Sequence, residues 1–128
     1  MNIVLIAHPD IHTATAIEEM IEAILEELSV SQTKTIVATS LNEVMTMVSH
    51  ASLLLIDDDL FSEVGIQEIR QIPINGRVKI IMVEDRLLIA RQMKLRDEIG
   101  DLISKPLERS ELKETVRRVL APRERREL

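Results

Sequence analysis

No cysteine occurs in this 128-residue sequence, which excludes disulfides and thiolate chemistry and fits a reducing cytoplasm. Tryptophan and tyrosine are missing as well, and phenylalanine occurs once. The core must therefore be aliphatic, and a single-stranded nucleic-acid reader that stacks bases on aromatic rings is disfavoured. A net charge of −6 argues further against non-specific binding to DNA or RNA. No apolar stretch reaches the ~18 residues that a membrane span needs. Met1 leads directly into strand-like sequence with no signal peptide, so a soluble, cytoplasmic domain is expected. There is also no glycine-rich phosphate loop, no Ser/His/Asp arrangement in its expected context and no metal motif, so an enzyme is not expected.

What is present is a chain that is 45% apolar and long enough for one domain with a real core. Its organising stretch is Ser52 to Leu60, in which Leu53-Leu54-Leu55-Ile56 runs straight into Asp57-Asp58-Asp59. An unbroken apolar run of this kind suits a strand buried on both faces, as in a parallel sheet covered by helices. The acids begin where such a strand emerges at its C-terminal end, the place where open α/β sheets put their ligand crevice. Adjacent carboxylates repel, so at least one should be held by a cation, a lysine or hydrogen bonds.

The remaining elements follow in order. Asn2 to Ala7 reads as a second buried strand, followed by His8-Pro9-Asp10. Asp10 caps an amphipathic helix whose inner positions are Ile11, Ala14, Ile17, Ile21, Ile24, Leu25 and Leu28. Thr35 to Ala38 is a short strand, and Ser40 with Glu43 forms a capping box that opens a helix to about Ser49. After the acids, Ile66, Ile69 and Ile72 predict a helix stopped by Pro73, and Asn75-Gly76 a turn. Val78 to Val83 is a fourth strand, Arg86 to about Glu98 a mixed-charge helix, and Leu102 to Ser104 a fifth strand. Lys105-Pro106 precedes a last helix, Glu108 to Leu120, with Leu112, Val116, Val119 and Leu120 on its apolar face. The charged residues 121–128 read as a tail or linker outside the domain formed by residues 1–120. The alternation predicts a flavodoxin-like doubly wound domain, five βα units on a five-stranded parallel sheet of order 2-1-3-4-5 with right-handed crossovers.

Three features together resemble the response-regulator receiver family of the chemotaxis-regulator type. An aspartate, Asp57, closes the third strand with Gly65 eight residues later; Lys105-Pro106 follows the fifth strand; and the order of the elements agrees. The resemblance implies that Asp57 is the phosphoacceptor for a partner kinase's phosphohistidine and that Lys105 grips the phosphoryl oxygens. It further implies Mg²⁺ held by Asp57, by the backbone carbonyl of Asp59 and by an acidic pair after the first strand, and a cis peptide before Pro106.

The chain departs from that pattern where the cation and the switch belong. In place of the acidic pair stands Ala7-His8, or, in a second alignment, Ile6-Ala7-His8-Pro9 with the pair deleted; Asp58 and Asp10 are the nearest substitutes. Glu84 replaces the switch serine or threonine, Leu102 the switch aromatic and Phe61 the loop proline. Mg²⁺ is therefore doubtful as a cofactor, and the pattern is that of a pseudo-receiver. Lys105 has a purely structural reading, neutralising a buried Asp57, and Glu84 is a second candidate partner for it. His8 beside Pro9 reads as a surface or hydrogen-bonded residue, His12 and His50 as residues without metal chemistry, and Met45 and Met47 as core filler.

A histidine kinase or another signalling protein is the expected partner. The resemblance also implies that the helix at residues 86–98, the strand at Leu102 and the helix at 108–120 form a surface for dimers or output partners, here of mixed charge through Arg86, Arg91, Arg96, Glu98, Glu111, Lys113 and Glu114. The alternative is an unrelated flavodoxin-like domain that binds a small anion or nucleotide in the same crevice.

Overall fold

The apolar runs Asn2–Ala7 (β1) and Leu53–Asp57 (β3) lie side by side in the middle of the sheet, and the alternation of their side chains builds a core on each face. In the computed structural model, residues 2–30, 32–60, 79–84 and 101–120 are described. They form β1, α1 (Ile11–Glu27), β2 (Thr33–Ala38), α2 (Leu41–Met47), β3, β4 (Lys79–Glu84), β5 (Asp101–Ser104) and α3 (Arg109–Leu120). Short 3₁₀ turns at Val48–His50 and Asp58–Leu60 flank β3. The five strands pair in parallel in the order β2-β1-β3-β4-β5, the predicted order.

Val4, Ile6, Leu53 and Leu55 point to one face, where Ile21, Ile24 and Leu25 of α1 and Leu112 and Val116 of α3 meet them. Leu5, Ala7, Leu54 and Ile56 point to the other, against Val44 of α2 and Val48. A strand residue has its neighbours on opposite faces, so an uninterrupted apolar run is what a sheet covered on both sides requires. Each fully buried Leu or Ile contributes roughly 1.5–3 kcal/mol. Thr115 is also buried on α3, its hydroxyl donating to the carbonyl of Glu111, a position the apolar pattern of the helix does not mark.

Both predicted caps form. The Asp10 carboxylate accepts from the amide of His12 at 3.2 Å and from the hydroxyl of Thr13 at 2.8 Å. The Ser40 hydroxyl accepts from the amide of Glu43 at 3.2 Å, and Glu43 reaches back to the amide of Thr39 at 3.0 Å. Two local expectations are corrected. Ile11 is 50% exposed rather than inward, because it lies in the first turn of α1, at the C-terminal rim of the sheet. The helix after Ser40 ends at Met47, and His50 lies in the 3₁₀ turn.

The predicted helices at 66–72 and 86–98, the Asn75-Gly76 turn and the tail 121–128 lie outside the described residues. Among the described residues, no helix is long and apolar enough to cross a membrane.

Candidate functional site

Parallel pairing sets the height at which each strand delivers its last side chain. Ala7 pairs with Ile56 and Asp57 with Val83, so His8 and Asp57 both leave the sheet at its C-terminal edge. Glu84 pairs with Ser104, and Lys105 follows directly over the same edge. The peptide between Lys105 and Pro106 is cis.

Asp57 is only 5% exposed, and three groups meet on its carboxylate. Lys105 Nζ donates to Oδ1 at 2.8 Å, and the backbone N–H of Asp59 donates to the same oxygen at 2.8 Å. Lys105 also donates to Asp59 Oδ2 at 3.2 Å, so one ammonium spans two carboxylates. His8 Nε2 stands 3.5 Å from Asp57 Oδ2. The other ring nitrogen, Nδ1, accepts the backbone N–H of Asp10 at 3.0 Å. This bond assigns the proton of the neutral ring to Nε2, so the imidazole turns an N–H toward Asp57.

Burial pushes the Asp57 carboxyl above the ordinary carboxylate value, while Lys105, the Asp59 amide and His8 pull it back. Desolvation dominates because the charged form has lost most of its water.

The two residues on which the sequence reading depends, Asp57 and Lys105, are therefore brought into direct contact. Asp59 is placed at the site, contributing its amide N–H and its exposed carboxylate. His8, read from sequence as a bland loop residue, is a member of the site. Its side chain is 12% exposed, and it occupies the position beyond β1 that the first of the two alignments gives to an acid. Asp10 is engaged in capping α1 rather than in the corner. The side chains of Asp58 and Glu84 are outside the described residues, as are Phe61 and Gly65. On α3, Lys113 pairs with Glu27 of α1 at 2.9 Å and Glu114 with Arg117, so these charges of the expected dimer face are used within the chain.

His8, Asp57 and Asp59 each offer one metal-ligand atom, and these atoms lie within 4.8 Å of one another. Magnesium takes an octahedron of hard oxygens and dehydrates reluctantly. Here an imidazole N–H faces Asp57, and an ammonium already holds both carboxylates. A ligating histidine donates its other ring N–H outward, whereas Nδ1 of His8 accepts one. Among the described residues, the donor set does not fit Mg²⁺.

No family model and no curated protein matches the sequence. Solved structures do. A response regulator receiver domain protein from Clostridium thermocellum superposes with a TM-score of 0.72 at 13% identity, covering 100% of both chains. A response regulator signal receiver domain from Bermanella marisrubri gives 0.71 at 16% identity over 92% of this chain and 97% of its own. A CheY-like receiver domain protein from Methanospirillum hungatei gives 0.67 at 20% identity, covering 89% and 90%. By strand order and superposition, the chain has the flavodoxin-like fold of the response-regulator receiver domains.

Proposed function

We propose that this chain is a receiver-like domain of two-component signalling whose phosphoacceptor corner is closed by its own side chains and which acts through protein contacts. The observation that carries this reading is the hold on Asp57 Oδ1, which Lys105 and the Asp59 N–H both donate to at 2.8 Å, with His8 Nε2 3.5 Å from the other oxygen. In a phosphorylatable corner the acid must attack an incoming phosphoryl group while a cation absorbs the growing charge. Here Oδ1 already accepts two hydrogen bonds, which draws down its nucleophilicity. Of the described residues that could gather a divalent ion, His8 presents an N–H and the two carboxylates already hold Lys105.

The ammonium between Asp57 and Asp59 instead fixes the end of β3 to the loop that leads into α3. That linkage holds the corner in one arrangement, which a partner protein reads as a surface. A histidine kinase or another signalling protein is the partner class that the fold supports, and a cytoplasmic location goes with it. The test is incubation of the intact chain with acetyl phosphate and Mg²⁺, followed by intact-mass measurement. The expected spectrum is that of the unmodified chain; a stoichiometric phosphoryl adduct on Asp57 would overturn the closed-corner reading.

A further inference from the structure

Beside the corner lies a cleft of about 280 Å³. One wall is a single stripe of α1, Thr13, Ala16, Ile17 and Met20, whose spacings of three and four put them on one side of the helix. The opposite wall is Lys105, Pro106 and Leu107, from the loop between β5 and α3. Asp57 and His8 are its most buried lining groups, whereas Thr13 and Ala16 are exposed, so the cleft opens between α1 and that loop and deepens toward the carboxylate.

Three properties define what fits. The lining is chiefly aliphatic, with Ile17, Met20 and Leu107 available to an apolar body. Taking about 30 Å³ for each water-sized atom, the volume admits roughly nine non-hydrogen atoms, which is small for a ligand pocket. At the deep end the electrostatics favour a cation. Among the described residues, the carboxylates of Asp57 and Asp59 share a single ammonium, that of Lys105, which itself lines the cleft. The two oxygens of Asp57 are also treated unequally. Oδ1 accepts two bonds of 2.8 Å, while Oδ2 has only the His8 contact at 3.5 Å, longer than a normal N–H···O bond. A buried carboxylate oxygen so weakly satisfied, at the base of an apolar cleft, is a place for one more donor.

We infer that the cleft binds a primary alkylammonium group, its nitrogen donating to Asp57 Oδ2 and its chain lying between Ile17, Met20 and Leu107. The group comes either from a free short-chain amine or from the lysine side chain of a partner protein, which has the same methylene stem and the same head. An anion is disfavoured by the carboxylate it would face, and a neutral alcohol lacks the charge that rewards the position. The inference goes beyond the proposed function and does not depend on it, since the unmodified chain presents the Asp57 carboxylate to the cleft whether or not that corner can be phosphorylated.

The test is calorimetric titration of the full chain with hexylamine, hexanol and hexanoate, and with Nα-acetyl-lysine methylamide. Hexylamine is expected to bind saturably, at least about tenfold tighter than hexanol, with no measurable binding of hexanoate. Two variants keep the result tied to the cleft. Ala16→Phe adds a ring at an exposed helix position, where folding is not at stake, and should weaken hexylamine at least about tenfold by filling the mouth. Asp57→Asn should abolish the preference of hexylamine over hexanol. Equal binding of the acetyl-lysine amide identifies a partner's lysine as the source; binding of hexylamine alone identifies a free amine. Absence of amine binding, equal or tighter binding of hexanol or hexanoate, or unchanged affinity in Ala16→Phe would each overturn the inference.

Discussion

Replacing Lys105 with methionine removes the ammonium and keeps most of the aliphatic stem, so it isolates the charge held against Asp57. At 2.8 Å, and with an effective dielectric of 20, the gross attraction is about 6 kcal/mol. Much of that is offset by the water both groups gave up, and the lysine side chain, 26% exposed, retains part of its hydration. Breaking a buried pair from one side costs ~3–5 kcal/mol; with the Asp59 N–H and His8 still in place, about 2–3 kcal/mol is expected at neutral pH. For a chain of this size that is a fall in melting temperature of roughly 8–12 °C.

The pH dependence gives the sharper measurement. Asp57 is raised above its ordinary value of 3.8, so in the folded state its ionisation opposes folding. That penalty is present at neutral pH, declines as pH falls through the folded value, and is gone below the ordinary value. The variant carries a larger penalty than the parent, so the stability gap between them should close on acidification to about pH 3.5. Glu27, Glu43 and Glu114 are lowered by their partners and lose stability over the acid range, but they do so in both proteins and leave the difference unchanged. Urea unfolding followed by circular dichroism at a series of pH values reads this gap directly. Adding Asp57→Asn to the variant should restore most of the loss. A gap that persists undiminished in acid, or a double variant as unstable as Lys105→Met alone, would show that the lysine acts by packing rather than by charge.

Two further expectations concern the scaffold. Ile21→Ala, at a fully buried position of α1 against β1 and β3, should cost about 3–4 kcal/mol by chemical denaturation, and a cost below ~1 kcal/mol would contradict the packing described. Ser40→Ala removes the acceptor for the Glu43 amide and should cost about 1 kcal/mol. The benefit of Glu43, lowered chiefly by the backbone N–H of Thr39, is present above its ordinary value of 4.5 and lost as pH falls through its lowered folded value, so Glu43→Gln should converge with the parent in acid.

Much of the architecture was readable because it rests on local pattern. The unalternating runs at Leu5-Ile6 and Leu53 to Ile56 demand two covered faces, and the packing clusters divide them between those faces. Asp57 and Lys105 were legible as a pair through the acid at a strand's end and the Lys-Pro step. His8 was not. Its meeting with Asp57 depends on β1 and β3 pairing in one register across some fifty residues of chain, which no short window contains. The Glu27 pairs with Arg109 and Lys113 were hidden for the same reason. A signal for His8 did exist: it follows β1 directly, as Asp57 closes β3, and adjacent parallel strands deliver their ends to one rim. Ile11 failed in the opposite way, since its spacing is helical but its turn extends past the strands that would have covered it.

The ring of His8 reaches two parts of the molecule at once, the amide that opens α1 and the acid that closes β3. An imidazolium has no lone pair left for the Asp10 amide, yet it is drawn more strongly to Asp57. Charging that ring would therefore trade a backbone tether for an ionic one. The start of the longest described helix and the acid of the corner thus face the two nitrogens of one ring.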